Sequence, residues 1–160
     1  GWVLCGHSER RLYHTETDSL VAAKMVSASK SGLGVMLCVG ESHHDRLAGH
    51  SVAIVTDQLS ASLRLWSEHD VSGQSLAIAY EPVWAIGTGL VASLDQISEM
   101  HKAIKTCVAN IGLSAPVLYG GSVKPDNAAD ILSLKHVDGA LVGGASLDAD
   151  GFCQIVKAAS

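Results

Sequence analysis

The sequence predicts an α/β protein built on a parallel sheet, and three observations carry that prediction. Short apolar runs bounded by Gly, Ser or Asp alternate with longer segments of helical period. The apolar character of the short runs is continuous, as in strands covered on both faces. The longer segments carry helix start and stop signals in the right order. Taken along the chain, Trp2 to Cys5 reads as a first buried strand, and Asp18 to Ser31 as a helix ended by Gly32. Val35 to Val39 is the second strand, followed by a helix over Ser51 to Leu65 that places Val52, Val55, Leu59 and Leu63 on one face. Leu76 to Tyr80 is the third strand. Ser93-Leu94-Asp95-Gln96 is a capping box, and Leu94, Ile97, Met100, Ile104 and Val108 continue one helical face. Gly112 stands where a C-terminal cap belongs, and Pro116 opens the strand Val117 to Tyr119. Pro125 suits the first turn of a helix running to about Leu134, before a fifth strand over Ala140 to Val142. These β/α units follow one another with no linker, charge block or residue-level repeat, so residues 1–160 read as a single domain.

Composition bounds the possibilities. The 160 residues are 48% hydrophobic and 17% charged, enough apolar material for a sizeable core and too much for a disordered chain. Eleven Lys plus Arg against sixteen Asp plus Glu give a net charge of -5, which argues against a basic face for nucleic acid. A small anion remains possible, because backbone N–H groups can hold one without net positive charge. No apolar run reaches the roughly 20 residues of a membrane-spanning helix, and the reading is a soluble, cytoplasmic protein with no membrane partner. Cys5, Cys38, Cys107 and Cys153 lie far apart without a CxxC pair, as reduced cysteines do, and suggest neither a disulfide framework nor a zinc site. Gly1 precedes a strand with no initiator Met, so a segment upstream is expected to be missing.

In parallel β/α proteins ligands bind at the carboxyl ends of the strands. Those ends read His7-Ser8-Glu9-Arg10-Arg11, Gly40-Glu41, Glu81-Pro82, Gly120-Gly121-Ser122 and Gly143-Gly144. His7 and Glu81 are acid/base candidates. A carboxylate in low-dielectric surroundings gains proton affinity, a helix N-terminus favours a neutral imidazole, and such a pair can move a proton from carbon while polarising the adjacent carbonyl. A lone His or Glu at a strand end equally serves as a cap or salt-bridge partner. The two glycine turns follow successive strands and let backbone N–H groups approach a phosphate. Pro82-Val83-Trp84-Ala85-Ile86-Gly87-Thr88-Gly89 has an apolar middle between a Pro start and a Gly-Thr-Gly end, the pattern of a hinged lid, or of a βα loop with a buried Trp. His43-His44-Asp45 with His50 fits no usual metal-ligand spacing. Arg10 and Arg11 suit an anion or the nearby acids Glu9 and Glu16 equally, and Cys38 reads as core.

These motifs, in this order and spacing, closely resemble the triosephosphate isomerase family: Trp2 through Arg11, Leu37-Cys38-Val39-Gly40-Glu41, Ala79 through Gly89, Tyr119-Gly120-Gly121-Ser122-Val123 and Asp138 through Leu147. The resemblance implies a TIM-type parallel (β/α) barrel, and interconversion of dihydroxyacetone phosphate and glyceraldehyde 3-phosphate through an enediolate, a step of glycolysis and gluconeogenesis. It implies Glu81 as the base, His7 as the neutral imidazole on the carbonyl and Glu9 as a supporting acid. Gly87, Ser122, Gly143 and Gly144 would bind the substrate phosphate, and neither cofactor nor metal is implied.

A whole barrel of this kind has eight strands and about 250 residues, whereas this sequence matches five units, from the fourth strand to the last helix. The first three strands, the Asn and Lys that the family carries after its first strand, and the loop through which its members dimerise have no counterpart here. Losing one preorganised electrostatic group costs about 10² to 10³ in rate, so the chain alone is expected to be weak or inactive. Its edge strands are expected to self-associate or to pair with a complementing N-terminal segment. The rival reading is a non-catalytic half-barrel that binds phosphate or serves as an assembly piece.

Overall fold

In the computed structural model, which describes residues 1–69, 75–86, 88 and 90–159, five strands pair in sequence order and all in parallel. They are β1 (Trp2–Cys5), β2 (Gly34–Val39), β3 (Leu76–Tyr80), β4 (Val117–Tyr119) and β5 (Gly139–Ala140). The crossovers carry α1 (Ser8–His14) and α2 (Asp18–Lys30), α3 (His43–Leu47) and α4 (Ser51–Glu68), α5 (Leu94–Asn110) and α6 (Ala128–Leu132), and α7 (Ala149–Ala158) closes the chain. The capping box at Ser93 and Gln96 forms as the sequence predicts. Gly32 and Gly112 both take the left-handed φ of +75° that ends a helix without a β-carbon clash.

Alternation along the strands divides the sheet into two faces. Val35, Leu37, Val39, Ile78, Tyr80, Val117 and Tyr119 share one core with Val21 and Met25 of α2, Leu59 and Leu63 of α4, Ile97, Met100 and Ile104 of α5, Ile131 of α6 and Ile155 of α7. The alternate row, Trp2, Leu4, Met36, Cys38, Ala77, Ala79 and Leu118, turns to the other face. Where these residues are central they are buried, as Cys38 and Ala79 are, but Trp2 is 53% and Leu4 44% exposed. The expectation of a buried first strand is therefore corrected: β1 is an edge strand with a neighbour on one side only.

Three further differences have local causes. The fifth strand is Gly139–Ala140 instead of Ala140 to Val142, although Leu141 N–H still reaches Tyr119 O at 2.9 Å. The helix expected from Pro125 starts only at Ala128, because Asn127 Oδ1 accepts the Lys124 N–H at 2.8 Å and closes a turn first. Short helices α1 and α3 were not expected; α3 begins with a capping box of Ser42 and Asp45. No helix among the described residues is long and apolar enough to cross a membrane.

Candidate active site

His7 and Glu81 come from strand ends that are not adjacent in the sheet, and they meet because β2 between them is bridged. Arg11 makes the bridge: it donates to Gly6 O at 2.8 Å and to Cys38 O at 3.3 Å, and pairs with Asp18 at 2.6 Å. Glu81 N–H donates to Val39 O at 2.8 Å, so the residue is held by β2 at the first position beyond β3. Gly40 makes that approach possible. A β-carbon there would lie 1.7 Å from the Glu81 carbonyl oxygen, and Gln58 of α4 fixes Gly40 from behind, accepting its N–H at 2.9 Å and donating to its O at 3.0 Å.

His7 caps α1, its Nδ1 accepting the Glu9 N–H at 3.4 Å. An accepting Nδ1 places the proton of the neutral ring on Nε2, and Nε2 stands 3.2 Å from Glu81 Oε1. The other Glu81 oxygen accepts the Ser8 N–H at 2.8 Å. Glu81 is 2% exposed. Burial raises its proton affinity above the usual carboxylate range, against the opposing pull of His7 and of the Ser8 N–H. The Cys38 thiol lies against Glu81, and burial together with that carboxylate pushes it up, so it stays protonated.

His7 and Glu81 line a cleft of about 410 Å³ together with Ser122, Gly143 and Gly144. The N–H groups of Ser122 and Gly143 have no partner among the described residues, and Gly144 opens a 3₁₀ turn whose first N–H groups have no partner within the turn. A β-carbon at Gly143 or Gly144 would meet nothing within 4 Å, so these glycines leave room for a ligand. An anion entering the cleft therefore finds both unpaired amides and an acid/base pair on its wall.

The lid motif begins with a 3₁₀ turn at Val83–Ala85. Trp84 Nε1 donates at 2.8 Å to Glu41 Oε1, which also accepts from Arg46 Nε at 2.7 Å and from Tyr80 OH at 3.1 Å. Glu41 is wholly buried, so the turn at Val83–Ala85 is fastened to a carboxyl group in the protein interior. Ser122 Oγ donates to Ala85 O at 3.3 Å and ties the phosphate-turn candidate to the same 3₁₀ turn. Gly87, expected on the lid, lies outside the described residues.

The remaining candidates separate from the cleft. Glu9 is exposed and absent from the cleft wall, and its contribution to the site is its backbone N–H. Arg10 pairs with Glu16 at 2.6 Å, Lys24 also pairs with Glu16, and both hold that carboxyl below its ordinary range. Asp45 caps α3, beside an exposed His44. Sequence reasoning passed over Gln58, Tyr80, Arg46 and the Ser8 N–H. The signal for Glu41 was present, since a charged residue directly after a continuous apolar run asks for a buried partner.

The family model described as triosephosphate isomerase matches residues 1–159. The chain belongs to this family. It is 48% identical to the triosephosphate isomerase of Caulobacter vibrioides over 160 residues, 98% of this chain and 62% of that protein. It is likewise 48% identical to the enzyme of Ruegeria sp. (strain TM1040), covering 64% of it, and 43% identical to that of Psychrobacter sp. (strain PRwf-1), covering 62%. The chain thus spans less than two thirds of the length of these triosephosphate isomerases, and its five parallel strands with flanking helices are those of a partial TIM barrel.

Proposed function

We propose that the cleft moves a proton between adjacent carbons of a triose phosphate, with Glu81 as base and His7 Nε2–H as the donor to the carbonyl oxygen. The observation that carries this reading is the 3.2 Å approach of His7 Nε2 to Glu81 Oε1 in a cleft whose wall also presents the unpaired amides of Ser122 and Gly143. The two side chains engage each other directly. A substrate inserted between them would give Glu81 a carbon-bound proton to take and His7 an oxygen to stabilise. Ser122, Gly143, Gly144 and Gly87 hold the phosphate in this reading, and Glu9 supports His7. The four thiols are free, which suits a reducing compartment such as the cytoplasm.

The 160 residues on their own are weak in this chemistry. The cleft is walled by only part of a barrel, Leu4 on its lining is 44% exposed, and β1 and β5 end the sheet without closing it. A coupled isomerase assay run beside the full-length Caulobacter vibrioides relative is expected to show turnover at least about 10² lower, and Glu81→Gln to remove what remains. Equal turnover would overturn the first expectation, and turnover indifferent to Glu81→Gln would overturn the role of the base.

A further inference from the structure

Among the described residues six of the eleven Lys and Arg side chains stand against a carboxylate: Arg10 and Lys24 pair with Glu16, Arg11 with Asp18, Arg46 with Glu41, Arg64 with Glu68, and Lys105 with Asp138. Lys124 differs from them. It is the one Lys or Arg on the cleft wall, it is exposed, and it has no carboxylate within ion-pair distance among the described residues.

Its backbone is already engaged. Lys124 N–H donates to Asn127 Oδ1 at 2.8 Å, and Asn127 Nδ2 donates to Ser122 O at 3.1 Å, so both halves of one amide side chain close the turn from Ser122 to Asn127. The turn is held in turn by Ser122 Oγ on Ala85 O. The base of the Lys124 side chain is thereby fixed beside Ser122, and its ammonium is what it can offer to a ligand. The amides of Ser122, Gly143 and Gly144 supply dipoles without net charge, while Glu81 puts a carboxyl group into the same cleft. Among the described residues, Lys124 is the one side chain on the cleft wall that can set a full positive charge against a doubly charged phosphate.

We propose that Lys124 is a phosphate-binding residue of this cleft, its ammonium supplying the countercharge that the glycine turns lack. The inference rests on the reading that those turns hold a phosphate, and adds the residue that sets its affinity and its dependence on salt. Lys124 takes no part in the proton transfer, which this reading gives to His7 and Glu81.

The test is a titration of the 160-residue chain with inorganic phosphate, followed by amide chemical shifts at low ionic strength and again near about 0.15 M salt. Lys124→Gln is expected to bind phosphate about three- to tenfold more weakly at low salt, with the difference shrinking as salt rises. Lys124→Arg should restore binding, and Lys135→Gln, outside the cleft wall, should leave it unchanged. Gly144→Val, whose β-carbon meets no protein atom within 4 Å, sets a branched side chain on the cleft wall and should abolish binding if the turns hold the anion. Lys124→Gln that matches the unaltered chain in affinity and salt dependence, while Gly144→Val abolishes binding, overturns the role of Lys124 and leaves the phosphate reading intact. No binding by the unaltered chain, or binding indifferent to Gly144→Val, overturns the phosphate reading and this inference with it.

Discussion

At Gly40 a β-carbon would stand 1.7 Å from the Glu81 carbonyl oxygen, and that oxygen belongs to backbone held on both sides. Gly40→Ala must therefore push β2 and β3 apart at their carboxyl ends, which is expected to cost about 3 kcal/mol or more of unfolding free energy. Denaturant unfolding measures the loss. Glu81 itself is buried, and burial raises its proton affinity above that of an ordinary glutamate. Since only the ionised form can take a proton from carbon, the acid limb of a rate against pH profile is expected above the ordinary glutamate range. A profile of the weak turnover, or of phosphate-ligand shifts at Glu81, checks it. The His7 and Glu81 pairing was legible in the sequence because each residue directly follows an apolar strand. The Gly40 and Gln58 support was not, because the side-chain amide comes from a helix eighteen residues away and carries no local pattern.

At the scale of elements, α3 and the start of the lid behave as one unit through Glu41. Its Oε1 gathers Trp84, Arg46 and Tyr80, and removal of the carboxylate strands a largely buried guanidinium. Glu41→Ala is accordingly expected to cost about 3 to 5 kcal/mol, and Trp84→Phe only about 1 kcal/mol, one hydrogen bond among three. A double-mutant cycle by thermal or denaturant unfolding reads both, and a cheap Glu41→Ala would contradict the arrangement. A second element, α5, carries His101, which is wholly buried with Nδ1 on His136 O at 3.2 Å and with Nε2 unpartnered among the described residues. Burial lowers its pKa from 6.5 to about 4, against the opposing His136 carbonyl and Asp138. The folded state thus refuses a proton that the unfolded chain accepts, so stability falls as pH drops from about 6.5 to about 4 and is unaffected by this group above that window. Roughly 3 kcal/mol is at stake, and His101→Gln is expected to flatten the slope of unfolding free energy over that interval. Helix period and caps showed α2, α4 and α5 in the sequence. The short α1 and α3 escaped because one or two turns leave too few positions for a period to register.

Among the described residues, the helices cover one face of the sheet, and the two outer strands have a strand partner on one side only. Leu12 and Tyr13 are exposed on α1, and Leu147 and Phe152 are exposed after β5, so apolar surface accompanies both edges. Concentration-dependent association in sedimentation is the expected consequence. A chain that stays monomeric at high concentration would contradict it. The sequence pattern predicted five parallel strands but read β1 as buried, since an apolar run does not reveal whether a neighbour stands on both sides. The proposed role of Glu81 is to take a carbon-bound proton from a triose phosphate. Exchange of carbon-bound hydrogen of dihydroxyacetone phosphate in D2O, followed by NMR at high protein concentration, detects that step even when net turnover is slow. The chain is expected to exchange hydrogen above the uncatalysed background and Glu81→Gln to fall to that background. Exchange that is absent from the unaltered chain, or that persists in Glu81→Gln, would contradict the assignment.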